Sequence, residues 1–284
     1  MLCIFWEGDC LIYIIPVAIL LIAYLVYSNK KIVTTEYIVR SERVPTSFEG
    51  FRIVNASDFH NRFFGRNSSY LLSEIKKASP DIIVITGDII DRRNLNIKRS
   101  VHFASKAASI APVYYVTGNH ESVMAGFNSL IKGLRKAGVE YIDNRCVTIE
   151  REEGCIELMG IPDQALGVEP ENYRFEDRCR EDITSVSTGS GNFGILLAHR
   201  PDFFDIYASN ADVVLCGHAH GGQFRIPFKG GLFAPGQGLF PKFTSGRHTK
   251  SGTDMIISRG IGNSSFPIRI NNNPEIVVVE LKKS

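Results

Sequence analysis

Five short apolar runs in this 284-residue chain each end on residues that bind metals or move protons. The run RIVNAS leads into Asp58-Phe59-His60, DIIVIT into Gly87-Asp88, and PVYYVT into Gly118-Asn119-His120-Glu121. The run GILLA leads into His199, and DVVLC into Gly217-His218-Ala219-His220. Imidazole and carboxylate together bind divalent first-row metals. The converging set, Asp58, His60, Asp88, Asn119, His199, His218 and His220, is too large for one tetrahedral ion and suits two ions about 3.5–4 Å apart. Two ions need a shared carboxylate, and Asp88 is the natural bridge because the glycine before it allows a close approach. A water shared by two dications becomes hydroxide near neutral pH, a nucleophile for in-line attack on phosphorus.

Taken singly, each position has a plainer role. A strand-end aspartate commonly forms a turn or caps a helix, and His218 with His220 could be a surface pair. The coincidence of five strand ends is what favours a metal centre. His102 lies in a helical pattern, as a packed or exposed histidine would. His248 sits in TSGRHTKSG, expected to be a polar loop from which it could reach substrate, with no motif around it. Cys216 precedes the Gly-His-Ala-His run, yet the apolar pattern VVLC directs it to the core.

The elements that must position these residues follow from hydrophobic pattern. The five runs, with DMIIS and EIVVVEL, are four to seven residues long and rich in Val and Ile, as strands buried on both faces are. Between them, SSYLLSEIKKAS places Leu71, Leu72, Ile75 and Ala78 on one helical face before Pro80. Helices are also expected over Ser100 to Ile110 and Ala125 to Ala137, the latter ended by Gly138. The charged region Glu150 to Asn192 is expected to form a hairpin and then a surface excursion. An α/β domain results, with helices outside one or two sheets. Ligands of such open sheets bind beyond the carboxyl ends of the strands, which brings the five motifs to one edge.

The N-terminus is a separate object. From Cys10 to Tyr27 eighteen residues carry no charge, close to the ~20 needed to cross a bilayer. An acidic start and no small-residue cleavage site distinguish it from a secretory signal. The basic residues Lys30, Lys31, Arg40 and Arg43 all follow the span, which places the catalytic domain on the cytoplasmic side of a single-pass cell-membrane protein. The expected organisation is an anchor over 1–31, a short linker with a first strand over 32–50, and a catalytic domain over 51–284.

Composition excludes other classes. Hydrophobic residues make up 44% and charged residues 22%, and net charge is +2, so the chain is neither disordered nor strongly basic overall. Nucleic acid is not expected as the partner. The six cysteines, Cys3, Cys10, Cys146, Cys155, Cys179 and Cys216, include no CxxC pair, which excludes a zinc finger and, in a chain this long, a disulfide framework.

The five motifs, in this order and spacing, resemble the signature of the calcineurin-like metallophosphoesterase family. The runs AHRPD and GHAHGGQF resemble a branch with single-span membrane phosphoesterases and UDP-2,3-diacylglucosamine pyrophosphatases. The resemblance implies a four-layer αββα sandwich after the transmembrane helix. It implies that Asp58, His60, Asp88 and His220 hold one metal and that Asp88, Asn119, His199 and His218 hold the other, with manganese, zinc or iron as the ions. His120 would face the scissile phosphate, and Asp91 would fix its ring and raise its pKa. The family's first motif often reads SDLHxG, whereas here His60 is followed by Asn61. The expected activity is hydrolysis of a phosphoester or pyrophosphate bond in a small or lipid-linked molecule. A nuclease or cyclic-nucleotide phosphodiesterase of this fold, or a scaffold without catalysis, are the alternatives. The intact His120 argues against the scaffold. Phe224, Phe228, Phe233, Phe240 and Phe243 either fill their own loop or, with Arg225, Lys229, Lys242, Arg247 and Lys250, form an apolar, basic mouth beside the metals.

Overall fold

The computed structural model describes residues 7–165, 174–263 and 266–284, with side chains from residue 13 onward. A helix α1, Glu7–Lys30, precedes the sandwich. Its apolar side chains, among them Tyr13, Ile14, Val17, Leu20 and Ile22, are exposed, while its C-terminal end bonds to the sandwich through Tyr24 and Asn29. Pro16 lies within it.

Two six-stranded sheets face each other. The first contains β1 (Val33–Arg40), β2 (Arg52–Asn55), β3 (Ile82–Thr86), β4 (Val113–Val116) and β5 (Val139–Tyr141). The second contains β6 (Arg145–Arg151), β7 (Gly154–Gly160), β8 (Phe193–Leu197) and β9 (Val213–Cys216). Two small hairpins follow, β10 (Arg225–Ile226) with β11 (Gly230–Gly231) and β12 (Phe233–Ala234) with β13 (Gly238–Leu239). The strands β14 (Gly246–Lys250) and β15 (Thr253–Ile257) complete the second sheet in the order β14-β15-β9-β8-β7-β6, and β16 (Glu275–Lys282) completes the first as β1-β16-β2-β3-β4-β5. The first strand therefore pairs, in parallel, with the last.

Alternation along each strand builds the layers. Ile53, Ile82, Val84, Val277 and Val279 meet Ile195, Leu197, Val213, Leu215 and Ile256 between the sheets. Their neighbours Val54, Ile83, Ile85, Ile276 and Val278 pack outward on the helices α2 (Ser69–Lys77) and α3 (Ile97–Ala108), and on a further helix, Phe127–Lys136. That helix is α5, because the single turn α4 (Asn119–Ser122) precedes it. On the far side Leu196, Val214, Cys216, Met255 and Ile257 pack on α6 (Phe175–Val186) and α7 (Phe204–Tyr207). The result is the αββα sandwich, with Cys216 in its outer core.

Some elements differ from expectation. Helix α3 starts at Ile97 because the Asn96 side chain accepts the Arg99 N–H at 3.0 Å, an N-cap three residues earlier than the apolar pattern suggests. The stretch around His248 is the strand β14 of a hairpin, not a loop, and its alternating exposure marks an edge strand. The excursion after the β6–β7 hairpin contains α6, which buries Cys179, Asp182, Ile183 and Val186 under an otherwise charged surface. The part of it over 166–173 and Cys3 lie outside the described residues.

Candidate metal centre

The strand ends do meet. The loops after β2, β3 and β4 bring Asp58, His60, Asp88, Asn119 and His120 from the first sheet, and those after β8 and β9 bring His199, His218 and His220 from the second. Two groups of donors form. In one, Asp58, His60, Asp88 and His220 are buried, with donor atoms all within 4.8 Å of one another. His60 Nε2 lies 3.1 Å from His220 Nε2 and 3.5 Å from Asp88 Oδ2, and His220 Nε2 lies 3.5 Å from Asp58 Oδ1. In the other, Asn119 Oδ1 lies 3.0 Å from His199 Nε2 and 2.7 Å from His218 Nδ1, and the two imidazole nitrogens are 3.1 Å apart. The same Asp88 Oδ2 that faces His60 lies 3.4 Å from His199 Nε2. Adjacent ligands of one ion, each about 2.1 Å from it, stand about 3.0–3.4 Å apart. The donor chemistry and separations of both groups therefore fit a dimetal site.

The backbone is bent to achieve this. Asp58, His60, Asp88, His218 and His220 have φ of 54°, 47°, 52°, 68° and 47°, a left-handed region that costs such residues about 1–2 kcal/mol each. Main-chain bonds hold the bends: Asp58 N–H donates to the Gly87 carbonyl at 3.1 Å and His60 N–H to the Asp88 carbonyl at 3.0 Å. His218 N–H donates to Asp58 Oδ1 at 3.0 Å. Two glycines are required by proximity. A Cβ at Gly118 would strike the Asp88 carboxylate, and one at Gly217 would strike Ser57 Oγ and the Asp58 carboxylate.

Surrounding groups fix the side chains. His199 Nδ1 donates to the Thr86 carbonyl at 2.7 Å, which turns Nε2 inward, the usual orientation for a ligating imidazole. Arg269, wholly buried, places Nη2 3.2 Å from His220 Nδ1. Burial would raise the Asp88 carboxyl, but the imidazoles of His199, His120 and His60 outweigh it and hold it well below the usual carboxylate range. The same attraction outweighs burial at His199 and pushes it up to about 10. Burial pushes Asp58 up to about 6 and His60 down to about 4, and holds His218 and His220 well below their ordinary value. Neutral His60, His218 and His220 keep the lone pairs that metal binding requires.

His120 stands beside the first group, its ring 4.5 Å from that of His60. Its Nδ1 accepts the main-chain N–H of Arg92 at 3.1 Å, which puts the proton of the neutral ring on Nε2. Asp91 lies 3.5 Å from His120 Nδ1, with its carboxylate taken by Arg93 at 2.9 and 3.0 Å. Burial outweighs Asp88 and Asp91, so His120 is shifted below its ordinary value, opposite to the rise expected from Asp91 alone. His102 is exposed on α3. His248 packs edge-on to Phe243, 5.1 Å between centroids, in the β14 hairpin.

Three further groups belong to this architecture. Asp163, three residues beyond the end of β7, forms a fork with Arg200: Nε donates to Oδ2 at 2.6 Å and Nη2 to Oδ1 at 3.3 Å. It repeats the pattern of an apolar strand ending on Asp, a signal present in the sequence. Arg269 carries no such signal. Glu121, fully buried, accepts the N–H groups of Asp88 and Gly118 at 2.8 Å on Oε2 and that of Ile90 at 3.0 Å on Oε1. Burial and then Asp88 push its carboxyl up to about 8 against those donors. The amide of Glu121→Gln cannot accept at both positions. We expect this variant to lose about 2–4 kcal/mol of stability through unpaired donors and about 10–100-fold in metal affinity. Denaturant unfolding and metal titration check this, and unchanged values in both would rule out the role.

Comparison with known proteins agrees with this geometry. Residues 51–222 match the sequence profile of the calcineurin-like phosphoesterases. The chain is 31% identical over 262 residues to the metallophosphoesterase YkuE of Bacillus subtilis, covering 88% of this chain and 86% of that one. It is 28% identical to the phosphodiesterase YaeI of Escherichia coli, covering 72% of each. A zebrafish transmembrane protein with a metallophosphoesterase domain is 28% identical, covering 86% of this chain and 56% of that one.

Proposed function

We propose that this chain, which belongs to the calcineurin-like phosphoesterase family, is a dinuclear-metal hydrolase of phosphodiester or pyrophosphate bonds, anchored by α1 and acting on a lipid-linked substrate. The observation that carries the dinuclear reading is Asp88 Oδ2, which faces His60 at 3.5 Å and His199 at 3.4 Å and so serves both donor groups. Asp58, His60, Asp88 and His220 would hold one ion, and Asp88, Asn119, His199 and His218 the other. Two bound divalent ions, manganese, zinc or iron, supply Lewis acidity and an activated water. The chain's own residues do the rest. His120 presents its Nε2–H to the phosphoryl group or leaving oxygen, and the Arg92 N–H holds that tautomer. Glu121 fixes the turns that carry Asp88 and His120. The name of the relative YaeI favours a diester.

The lipid-linked part of the reading rests on the loop after His220. Phe224 and Phe243 are partly covered there, whereas Phe228, Phe233 and Phe240 are exposed among basic residues. Such a surface suits an anionic head on an apolar tail, as in UDP-2,3-diacylglucosamine. Lys30 and Lys31, at the exit of α1, favour a cytoplasmic catalytic domain.

The test uses purified full-length chain, stripped of metal and reloaded with manganese. We expect two ions per chain by elemental analysis and metal-dependent hydrolysis of bis-p-nitrophenyl phosphate. In a panel of soluble and lipid-linked diesters and pyrophosphates, a lipid-linked member should have the highest kcat/KM. Binding of a single ion at saturation would refute the dinuclear site, and preference for soluble substrates would refute the lipid-linked reading.

A further inference from the structure

The end of α1 is built into the catalytic domain. Arg269 N–H donates to Asn29 Oδ1 at 2.8 Å, and Asn29 Nδ2 donates back to the Arg269 carbonyl at 2.9 Å. Asn273 Nδ2 donates to the Ser28 carbonyl at 2.8 Å, and the Tyr24 hydroxyl to Asn271 Oδ1 at 2.5 Å. At 1.5 Å rise per residue, Tyr24 stands about 9 Å up the helix from Lys30, inside the apolar stretch Tyr13–Lys30. The edge of the catalytic domain therefore runs alongside the last turns of the span and does not hang below it on a flexible tether.

That edge is apolar and continuous. Arg225 N–H donates to the Ile270 carbonyl at 3.0 Å, and Asn271 Nδ2 to the Arg225 carbonyl at 3.2 Å. Gln223 Nε2 donates to the carbonyls of Phe266 and Ile268 at 3.0 and 2.5 Å. The segment beside α1 is thus joined to the loop after His220. On it Ile226, Phe266, Ile268 and Ile270 are 38%, 60%, 43% and 39% exposed, and Phe228 is fully exposed at the tip of its hairpin. Contiguous exposed apolar surface marks an interaction site. Its charge indicates the partner. Residues 221–253 contain five Lys or Arg and no Asp or Glu; Arg247 and Lys250 pair with Asp254 and Asp205, but Lys229, next to Phe228, is exposed, and so are Lys30 and Lys31 at the foot of α1. Aromatic and aliphatic side chains with basic neighbours, level with the end of a span, match an anionic lipid surface.

We infer that the face formed by Ile226, Phe228, Phe266, Ile268 and Ile270 beside Tyr24 lies in the head-group layer of the leaflet from which α1 emerges. The catalytic domain docks on the bilayer through its own surface as well as through the span. This rests on reading α1 as a span. It ties the metal-ligating loop to the membrane, because Asn272 Nδ2 donates both to the His220 carbonyl at 2.7 Å and to the Gln223 carbonyl at 3.1 Å.

Lipid quenching of tryptophan fluorescence tests this in the full-length chain, reconstituted in vesicles of phosphatidylcholine and phosphatidylglycerol. The chain has one tryptophan, Trp6, which Trp6→Phe removes. Single tryptophans are then placed by Phe228→Trp and Phe266→Trp on the face, and by Leu20→Trp in the span. Brominated lipids should quench all three at least about twofold, the face positions most strongly with bromines near the head group and Leu20→Trp with deeper ones. Quenching at Leu20→Trp with water-like, unquenched emission at both face positions would overturn docking and leave the span intact. Blue-shifted but unquenched emission at the face would assign it to a protein neighbour and also overturn docking. Absence of quenching at all three positions would overturn the span, and docking with it.

Discussion

Asp88→Asn is expected to cost at least about 10³-fold in turnover, the equivalent of the several kcal/mol that metal catalysis supplies, and to lower occupancy of both ions together. The argument is geometric. Oδ2 faces both donor groups, and Oδ1 accepts the His120 N–H at 2.8 Å. An amide that keeps that last bond turns its NH₂ toward His60 and His199, where a shared anionic oxygen is needed. Asparagine suits the test better than alanine because the residue has φ 52°, a conformation asparagine tolerates and alanine resists. His60→Asn and His218→Asn, which suit the same left-handed backbone (φ 47° and 68°) with a side chain shorter than imidazole, each touch one donor group and should each leave about one ion per chain. Elemental analysis and turnover of bis-p-nitrophenyl phosphate, measured on all three variants, provide the check. Retention of two ions and most of the turnover in Asp88→Asn would end the bridging assignment.

His120→Ala is expected to keep both ions and slow hydrolysis of alkyl esters about 10²–10⁴-fold, the usual range for losing a proton donor. The ring is tied to the main chain of Arg92 through Nδ1, so Nε2–H is the group left to face substrate. A p-nitrophenolate leaves readily without a proton and an alkoxide does not, so nitrophenyl esters should lose far less rate. Parallel kinetics on matched alkyl and nitrophenyl diesters decide between two roles. Equal losses would mean that Nε2–H stabilises charge on the phosphoryl oxygens and does not protonate the leaving group. Loss of an ion from His120→Ala would make His120 a ligand and redraw the site.

Much of this arrangement was legible because buried strands are short apolar runs and polar residues at their ends have few places to go. DIIVIT and DVVLC are strands buried along their length, and the Asp and His residues that follow them come together at one edge. Legibility stopped where structure depends on partners far along the chain. Helix α6 has too few apolar residues to outweigh its charges in a pattern, although Cys179, Ile183 and Val186 anchor it. The strand around His248 is polar because it lies at an edge, and its pairing with β15 supplies what its sequence lacks. Arg269 and Asn29 are 240 positions apart and bond through backbone and amide groups, interactions that carry no periodicity. The fork between Asp163 and Arg200 follows the same strand-end rule as the ligands, but the hairpin expected in that charged region had no marked end from which Asp163 could be read.

The pairing of β1 with β16 sets the order in which the enzyme can be made. β16 lies between β1 and β2, so until residues 275–282 have been synthesised β1 has no strand to pair with and β2 has only β3. A nascent chain carries the edge strand of a sheet whose neighbouring strand is still to be made. Contacts of such sequence separation form late, and strands waiting unpaired are prone to mispairing. The turn carrying Asp58 and His60 follows β2, and the N–H of Glu275, the first residue of β16, donates to the Gly260 carbonyl, the glycine packed against Asp58. Half of the metal site therefore gains its final shape only with β16, which makes metal loading an event that follows the synthesis of residues 275–282.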